Sequence, residues 1–352
     1  MPFRAWEWLA IWWKHYAALP NNDLYVLAVY DDTQRIVGIV PWYRELRPSE
    51  GRILSFLGSG KACTDYATVL CQPENQARVA EALAEWLVRA NDEKTDATPD
   101  QWDLIELEGV AAADAAVTGM CAALESRGLT VHRRTGVPCF RIDIRNGLEG
   151  YLQELSKGGR RRLRKALRDL DDPQFQVTHY TTAAAIAEHW PTFKWLHQQR
   201  RHELGESGCF EYPPMGEFLR DASCQLAATG QAELVVNWCE DKPIAAELIM
   251  FDSGSLYIYQ SGLDPAYAEI SPGRMGMAHC LREAIKRDVQ YYDLLRGAEP
   301  YKLRWRAKPV ETTDYRIVSR RAGAQLRHQV WVARHAVKDW LKSGLERTGL
   351  RK

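Results

Sequence analysis

Two apolar runs near the start of the chain, LYVLAVY at residues 24–30 and IVGIVPWY at 36–43, flank the polar stretch DDTQR. Apolar runs of strand length around a short polar turn predict a β-hairpin. RILSFLG (52–58), YATVLC (66–71), WDLIELEGV (102–110) and PCFRIDI (138–144) read as further strands. Between them the period changes. Val79, Leu83, Trp86 and Leu87 recur at helical spacing within 74–90, and a second helical pattern covers 112–127. A Trp-rich helix is expected over 5–18 and a polar loop over 92–101.

From residue 150 the sequence of elements begins again. A strongly basic helix is expected over 151–170, a strand over 175–180, and helices over 183–202 and 215–228. AELVVNWCEDKPIAAELIMF (232–251) is a second hairpin, SLYIYQSG (255–262) the next strand, 271–287 a helix and VQYYDLL (289–295) a closing strand. The order hairpin, strand, helix, strand thus occurs twice, about 200 residues apart, as a repeat of pattern more than of identity. The expected fold class is α/β (α+β): two tandem units over 1–149 and 150–320, each a mixed, mostly antiparallel sheet flanked by helices. A basic amphipathic helix follows over 321–352.

Composition narrows the class of partner. The 352 residues hold 46% hydrophobic and 26% charged side chains, ordinary for a globular chain of two domains. Lys+Arg and Asp+Glu are equal at 46, so overall charge does not point to DNA or to a membrane. The local balance differs: residues 321–352 carry 8 basic and 2 acidic side chains. Leu326, Val330, Ala333, Val337, Trp340, Leu341 and Leu345 form one stripe of that helix. It can dock on its own domain or lie on an anionic membrane. The eight cysteines form no C-x-x-C pair and have no His cluster beside them. No metal is expected, and scattered single cysteines suit a reduced, cytoplasmic protein. No signal peptide is read at the N-terminus, and no apolar run approaches the roughly 18 residues of a membrane span.

Four stretches can carry chemistry. Ser271 and Pro272 open a helix, with Gly273, Arg274, Met275 and Gly276 in its first turns. A helix N-terminus leaves amides free and suits a pyrophosphate, although the same residues serve an ordinary capped helix. SKGGRRRLRKALR holds seven basic residues between Lys157 and Arg168. They can grip phosphates or form a solvated face. Glu247 lies in an apolar strand, where burial would raise its pKa toward that of a useful base, unless it faces solvent. DLLRGAEPYKLRW (293–305) mixes Asp293, Arg296, Glu299, Tyr301 and Lys302 where a strand leaves a core. Tyr257 and Tyr259 alternate on LYIYQ, where packing is the ordinary role.

In the order in which they occur, these pieces resemble the FemAB-like branch of the GNAT-type acyltransferases. Within it they are similar to the group that includes CelD, linked to exopolysaccharide synthesis. The resemblance runs from WEWLAIWW to about Ser319. It rests on LGSGKACTDYATVL, LSKGGRRRLRKALRDL and the span from SGLDPAYAEISPGRMG to DLLRGAEPYKLRW. It implies two GNAT-like units and metal-free transfer of an acyl group to an amine. Acyl-CoA, acetyl-CoA in the simplest case, would be the donor, and a small-molecule amine or sugar the acceptor. Lys302 matches the family lysine and would offset negative charge, with Asp293 and Tyr301 positioning it or relaying protons and Glu247 a further candidate base. Ser271, Gly273, Arg274, Met275, Gly276 and Arg296 would hold the carrier. Asp65 and Tyr66 match the family Asp-Tyr and would face the acceptor, together with Tyr259. YAEISPGRMG lacks the Q/R-x-x-G-x-G/A spacing of typical GNAT enzymes, so acyl-CoA follows from the resemblance and not from a fingerprint. FemAB proteins proper use aminoacyl-tRNA, which leaves tRNA as the alternative carrier. A non-catalytic assembly factor with this fold is the third possibility.

Overall fold

A computed structural model describes residues 1–17, 21–91 and 100–347, with side chains of the last helix described as far as Arg334. Most of the polar loop expected over 92–101 therefore lies outside the described residues. The chain forms two compact units, each with its own seven-stranded sheet.

One unit comprises Leu19–Leu57, Thr68–Thr135 and Thr313–Lys352. Its sheet runs Asn22–Tyr30, Ile36–Arg47, Gly51–Phe56, Leu104–Ala111, Thr312–Val318 and Thr130–Thr135, with Leu70–Cys71 against Ile36–Arg47. The first two strands are the expected hairpin. Its turn is closed by Asp31, whose Oδ1 accepts from the amides of Thr33 and Arg35 at 2.8 and 3.0 Å, the local bonding that favours Asp in turns. The strand expected at 66–71 shrinks to two residues, because Tyr66 adopts φ 60° and turns the chain away.

The other unit comprises Met1–Ala18, Gly58–Ala67 and Gly136–Thr312. Its sheet runs Lys308–Val310, Cys139–Asp143, Tyr291–Arg296, Ser255–Leu263, Lys242–Phe251, Ala232–Cys239 and Phe175–Tyr180. Every ladder is antiparallel except that between Ser255–Leu263 and Tyr291–Arg296. In both units a hairpin, a third strand, a helix and a parallel fourth strand follow in the same order. The fold is mixed α/β with two mixed sheets flanked by helices, as the repeat of pattern implied. The units are not the consecutive segments 1–149 and 150–320, however. The fourth strand of each sheet is followed in space by a strand from elsewhere in the chain, Thr312–Val318 in one and Cys139–Asp143 in the other.

The single basic helix expected over 151–170 is two helices, Gly147–Glu154 and Lys157–Asp169. The break lies at Leu155, which is extended, and at Ser156, whose hydroxyl accepts from the Gly159 amide at 3.1 Å. An N-cap serine starts a new helix better than it continues an old one. Ala322–Arg347 is helical as expected, but it turns a different stripe inward. Ala324 and His328 are buried and Trp331 partly so, while Leu326 and Val330 are exposed. Two attractions set this rotation: Arg327 pairs with Asp103 at 3.0 Å, and the Arg316 guanidinium lies 4.7 Å from the Trp331 ring centre.

The sheet of this second unit, built mainly from Gly136–Thr312, has two distinct faces, set by the two-residue period of its strands. Tyr292 lies on one, packed with Met275, Ala278 and Leu281 of helix Pro272–Lys286. Tyr257 lies on the other, its ring edge-on to Phe3, while Trp8 meets Tyr259.

Candidate active site

Strands Ser255–Leu263 and Tyr291–Arg296 are paired over only three positions, the last being Tyr257 with Asp293. Beyond that pair they part. On the first of them, Leu248 faces Gln260 and Ile249 faces Ile258 across the hairpin, so Tyr259 is the extra residue of a β-bulge. Bulges bend a strand and re-aim its side chains, and they recur beside active sites. Opened parallel strands with a bulge at the mouth leave a sheet with unmade backbone bonds at its centre.

The segment Gly58–Ala67 supplies partners to both strands. The Tyr259 hydroxyl donates to the Ala62 carbonyl. The Tyr66 hydroxyl donates to Asp293 Oδ2 at 2.7 Å. Asp65 accepts from Arg296, from its amide at 3.1 Å and from its Nε at 2.7 Å. The segment is itself held by Trp8, whose indole donates to Thr64 at 2.9 Å, and by Arg4, whose Nε donates to the Tyr66 carbonyl at 2.8 Å.

Asp293 is 2% exposed. Burial raises its pKa to about 6, against the downward pull of the Tyr66 hydroxyl and the Leu295 amide. That amide donates to Oδ1 at 2.8 Å and supports a left-handed backbone at Leu295, φ 57°. Tyr66 is left-handed too. Strained, non-glycine conformations persist where surrounding bonds over-determine them, and they cluster at functional sites. Burial also raises Asp65 and, together with the Asp293 charge, Tyr66. Cys139, not singled out in the sequence, sits with this group. Burial and the charges of Asp65 and Asp293 push its thiol up, which keeps it protonated and unsuited to nucleophilic attack.

Lys302 belongs to the same cluster but not in the role expected of it. It is 1% exposed. Its ammonium donates to the carbonyls of Leu295, Arg296 and Gly297 at 3.0, 2.8 and 3.1 Å and lies 3.0 Å from Glu299. An ammonium has three protons, and all are used to hold the loop that follows Asp293. Lys302 is therefore a positioning residue. Tyr301 packs against the hydrophobic core beside it, and burial raises its hydroxyl.

Glu247 is on the other face. Its carboxylate fits over Gly276, where an added Cβ would stand 1.7 Å from Oε1, and its Oε2 accepts from Asn237 at 2.9 Å. Burial raises its pKa to about 8. The glycine expected to admit a ligand thus admits Glu247 instead. Met275 is a core residue, and the amides of Arg274 and Met275 turn back onto the Ser271 carbonyl. Ser271 itself is left-handed and makes no side-chain cap bond. Gly273 lies beside Leu263. The first turn of this helix thus offers fewer free donors than its sequence suggested. The structure gathers Asp65, Tyr66, Tyr259, Asp293, Arg296 and Lys302, while Glu247 packs over Gly276 of helix Pro272–Lys286.

A family model described as an acetyltransferase (GNAT) domain matches residues 157–303. No curated protein matches the chain. Among solved structures, that of FemX shares the fold with a TM-score of 0.61 and 12% identity, over 88% of this chain and 92% of that one. A conserved protein of unknown function from Bacteroides thetaiotaomicron does so with a TM-score of 0.51 and 12% identity, over 88% and 89%. Residues 157–303 are thus similar to a GNAT acetyltransferase domain, and the likeness to solved structures lies in the fold.

Proposed function

We propose that the protein is an N-acyltransferase that moves an acyl group, acetyl in the simplest case, from acyl-CoA to the amine of a small acceptor. The acceptor class we favour is an amino sugar or nucleotide sugar of envelope or exopolysaccharide synthesis. The observation that carries this reading is the pair of strands that part after Tyr257 and Asp293 within the matched domain, with a buried, proton-hungry carboxylate at the point of divergence.

The chemistry needs few parts. The amine nitrogen attacks the thioester carbonyl, a C–N bond forms, and the C–S bond then breaks to release the coenzyme A thiolate. One proton must leave the nitrogen. Asp293 receives it through the Tyr66 hydroxyl, which hands its own proton to Asp293 as it takes one from the amine. Arg296 supplies a cation near the developing negative charge, oriented by Asp65. Lys302 fixes the backbone from which Asp293 and Arg296 project.

Release of free thiol from acetyl-CoA with a panel of amino sugars tests this reading. We expect kcat/KM to rise with pH through about 6, the range to which burial moves Asp293. Asp293→Asn should remove this limb and lower kcat by about 100-fold or more. In Tyr66→Phe the hydrogen bond that lowers the Asp293 pKa is gone, so any remaining limb should move upward in pH. A pH profile unchanged in both variants would refute the assignment.

Transfer of an aminoacyl group from charged tRNA is the second reading. It is favoured by helix Lys157–Asp169, on which Arg161, Arg162, Arg164 and Arg168 are exposed. It requires RNA binding that weakens steeply with salt. The exposed Leu326 and Val330 on the basic last helix support contact with an anionic membrane surface as a further property of the protein.

A further inference from the structure

His179, His279 and Glu283 place one ligand atom each within 4.8 Å of one another. His179 lies on the edge strand Phe175–Tyr180, and the other two stand four residues apart on helix Pro272–Lys286, hence on one face. The two Nε2 atoms are 2.7 Å apart. On its far side His179 Nδ1 lies 2.7 Å from Glu233 Oε2, and Glu233 Oε1 accepts from Arg287 at 2.6 Å. A carboxylate on Nδ1 keeps the ring proton there and leaves the Nε2 lone pair toward His279 and Glu283. This carboxylate–histidine arrangement is the usual second shell of a metal-ligating imidazole.

We propose that His179, His279 and Glu283 bind a divalent transition-metal ion of the Zn2+ class, with Glu233 as the residue that orients His179. Two imidazoles and one carboxylate suit Zn2+, Co2+ or Ni2+ better than Mg2+ or Ca2+, which prefer oxygen alone. Three protein ligands leave a fourth position for water. Metal–nitrogen bonds of about 2.0–2.1 Å in tetrahedral geometry require the two Nε2 atoms, 2.7 Å apart, to separate by about 0.6 Å and Glu283 to close in. Lys286, 3.7 Å from Glu283, has a side chain 75% exposed and is free to turn into solvent. The ion would tie the edge strand to the helix. No metal is expected from the sequence pattern, and the two histidines that meet here stand 100 residues apart, with no cysteine among the three ligands. This site is independent of the acyl-transfer reading.

The test uses the full chain without a histidine tag, stripped with a chelator and titrated with Zn2+ by calorimetry and with Co2+ by visible absorption. One ion per chain is expected, with Co2+ bands of a tetrahedral site. His179→Ala should weaken binding by more than about 100-fold, and Glu233→Gln, which leaves all three ligands in place, by about 10–100-fold. If His179→Ala proves unfolded by circular dichroism, Glu283→Gln serves instead, with the same expectation. Absence of stoichiometric binding in the wild type overturns the proposal. So does binding that the ligand variants leave unchanged, which would place the ion on cysteines elsewhere.

Discussion

The ammonium of Lys302 and the carboxyl of Glu247 are both buried in an apolar setting, and they resolve the cost of burial in opposite ways. Lys302 spends its three protons on the carbonyls of Leu295, Arg296 and Gly297 and has Glu299 as a counter-charge. Glu247 accepts from Asn237, and burial raises its pKa to about 8. For an acid whose folded pKa lies above its unfolded value, the stabilising contribution is complete below the unfolded pKa, 4.5 here, and is lost as pH rises through about 8. Wild-type protein should therefore lose more stability than Glu247→Gln between about pH 5 and about pH 9. Thermal unfolding midpoints of the two across that range check this, and parallel curves would show that Glu247 is not buried as described. At this scale the sequence pointed to the acids and bases that matter but not to what they touch. Tyr66 and Asp293 are 227 positions apart, and Asp65 and Arg296 are 231 apart. No local pattern encodes such partners.

The elements themselves were more legible. Both hairpins and the strand–helix–strand that follows each come directly from periodicity, because apolar alternation and turn residues are local signals. The exceptions have local causes that compete with periodicity: Ser156 caps where a helix was expected to continue, Tyr66 turns left-handed where a strand was expected, and Tyr259 bulges. Short strands such as Lys308–Val310 carry too few residues to show a period. Packing between elements leaves one strong demand. Gly262 lies so close to helix Ala183–Glu203 that an added Cβ would stand 2.2 Å from the His197 amide nitrogen and 2.5 Å from the Leu196 carbonyl carbon. Backbone cannot move aside as a side chain does, so Gly262→Ala should cost about 1–3 kcal/mol or more in urea unfolding. Gly254→Ala, whose Cβ would meet only Asp252 at 3.6 Å, should change stability by less than about 0.5 kcal/mol. Equal effects of the two would contradict the close packing of that helix on its strand.

For the whole molecule, the repeat of pattern foretold two similar sheets, while the assignment of segments to units lay beyond it. Segments Met1–Ala18 and Gly58–Ala67 join the unit built mainly from Gly136–Thr312, a choice made by long-range pairing and by aromatic packing of Phe3 and Trp8. Among the described residues no helix is long and apolar enough to cross a membrane. Acyl-CoA use by the domain over 157–303 is the central claim, and binding tests it without knowledge of the acceptor. The most direct measurement is thermal unfolding of the full chain with acetyl-CoA, set against adenosine diphosphate and against uncharged tRNA. A ligand present at about 100 times its Kd stabilises the folded state by roughly 2.7 kcal/mol. The account predicts an unfolding midpoint several degrees higher with acetyl-CoA, retained in Asp293→Asn, whose lesion is in proton transfer. No shift with acetyl-CoA at any concentration, with a salt-sensitive shift from tRNA, would contradict it and move the protein to the aminoacyl-transfer reading.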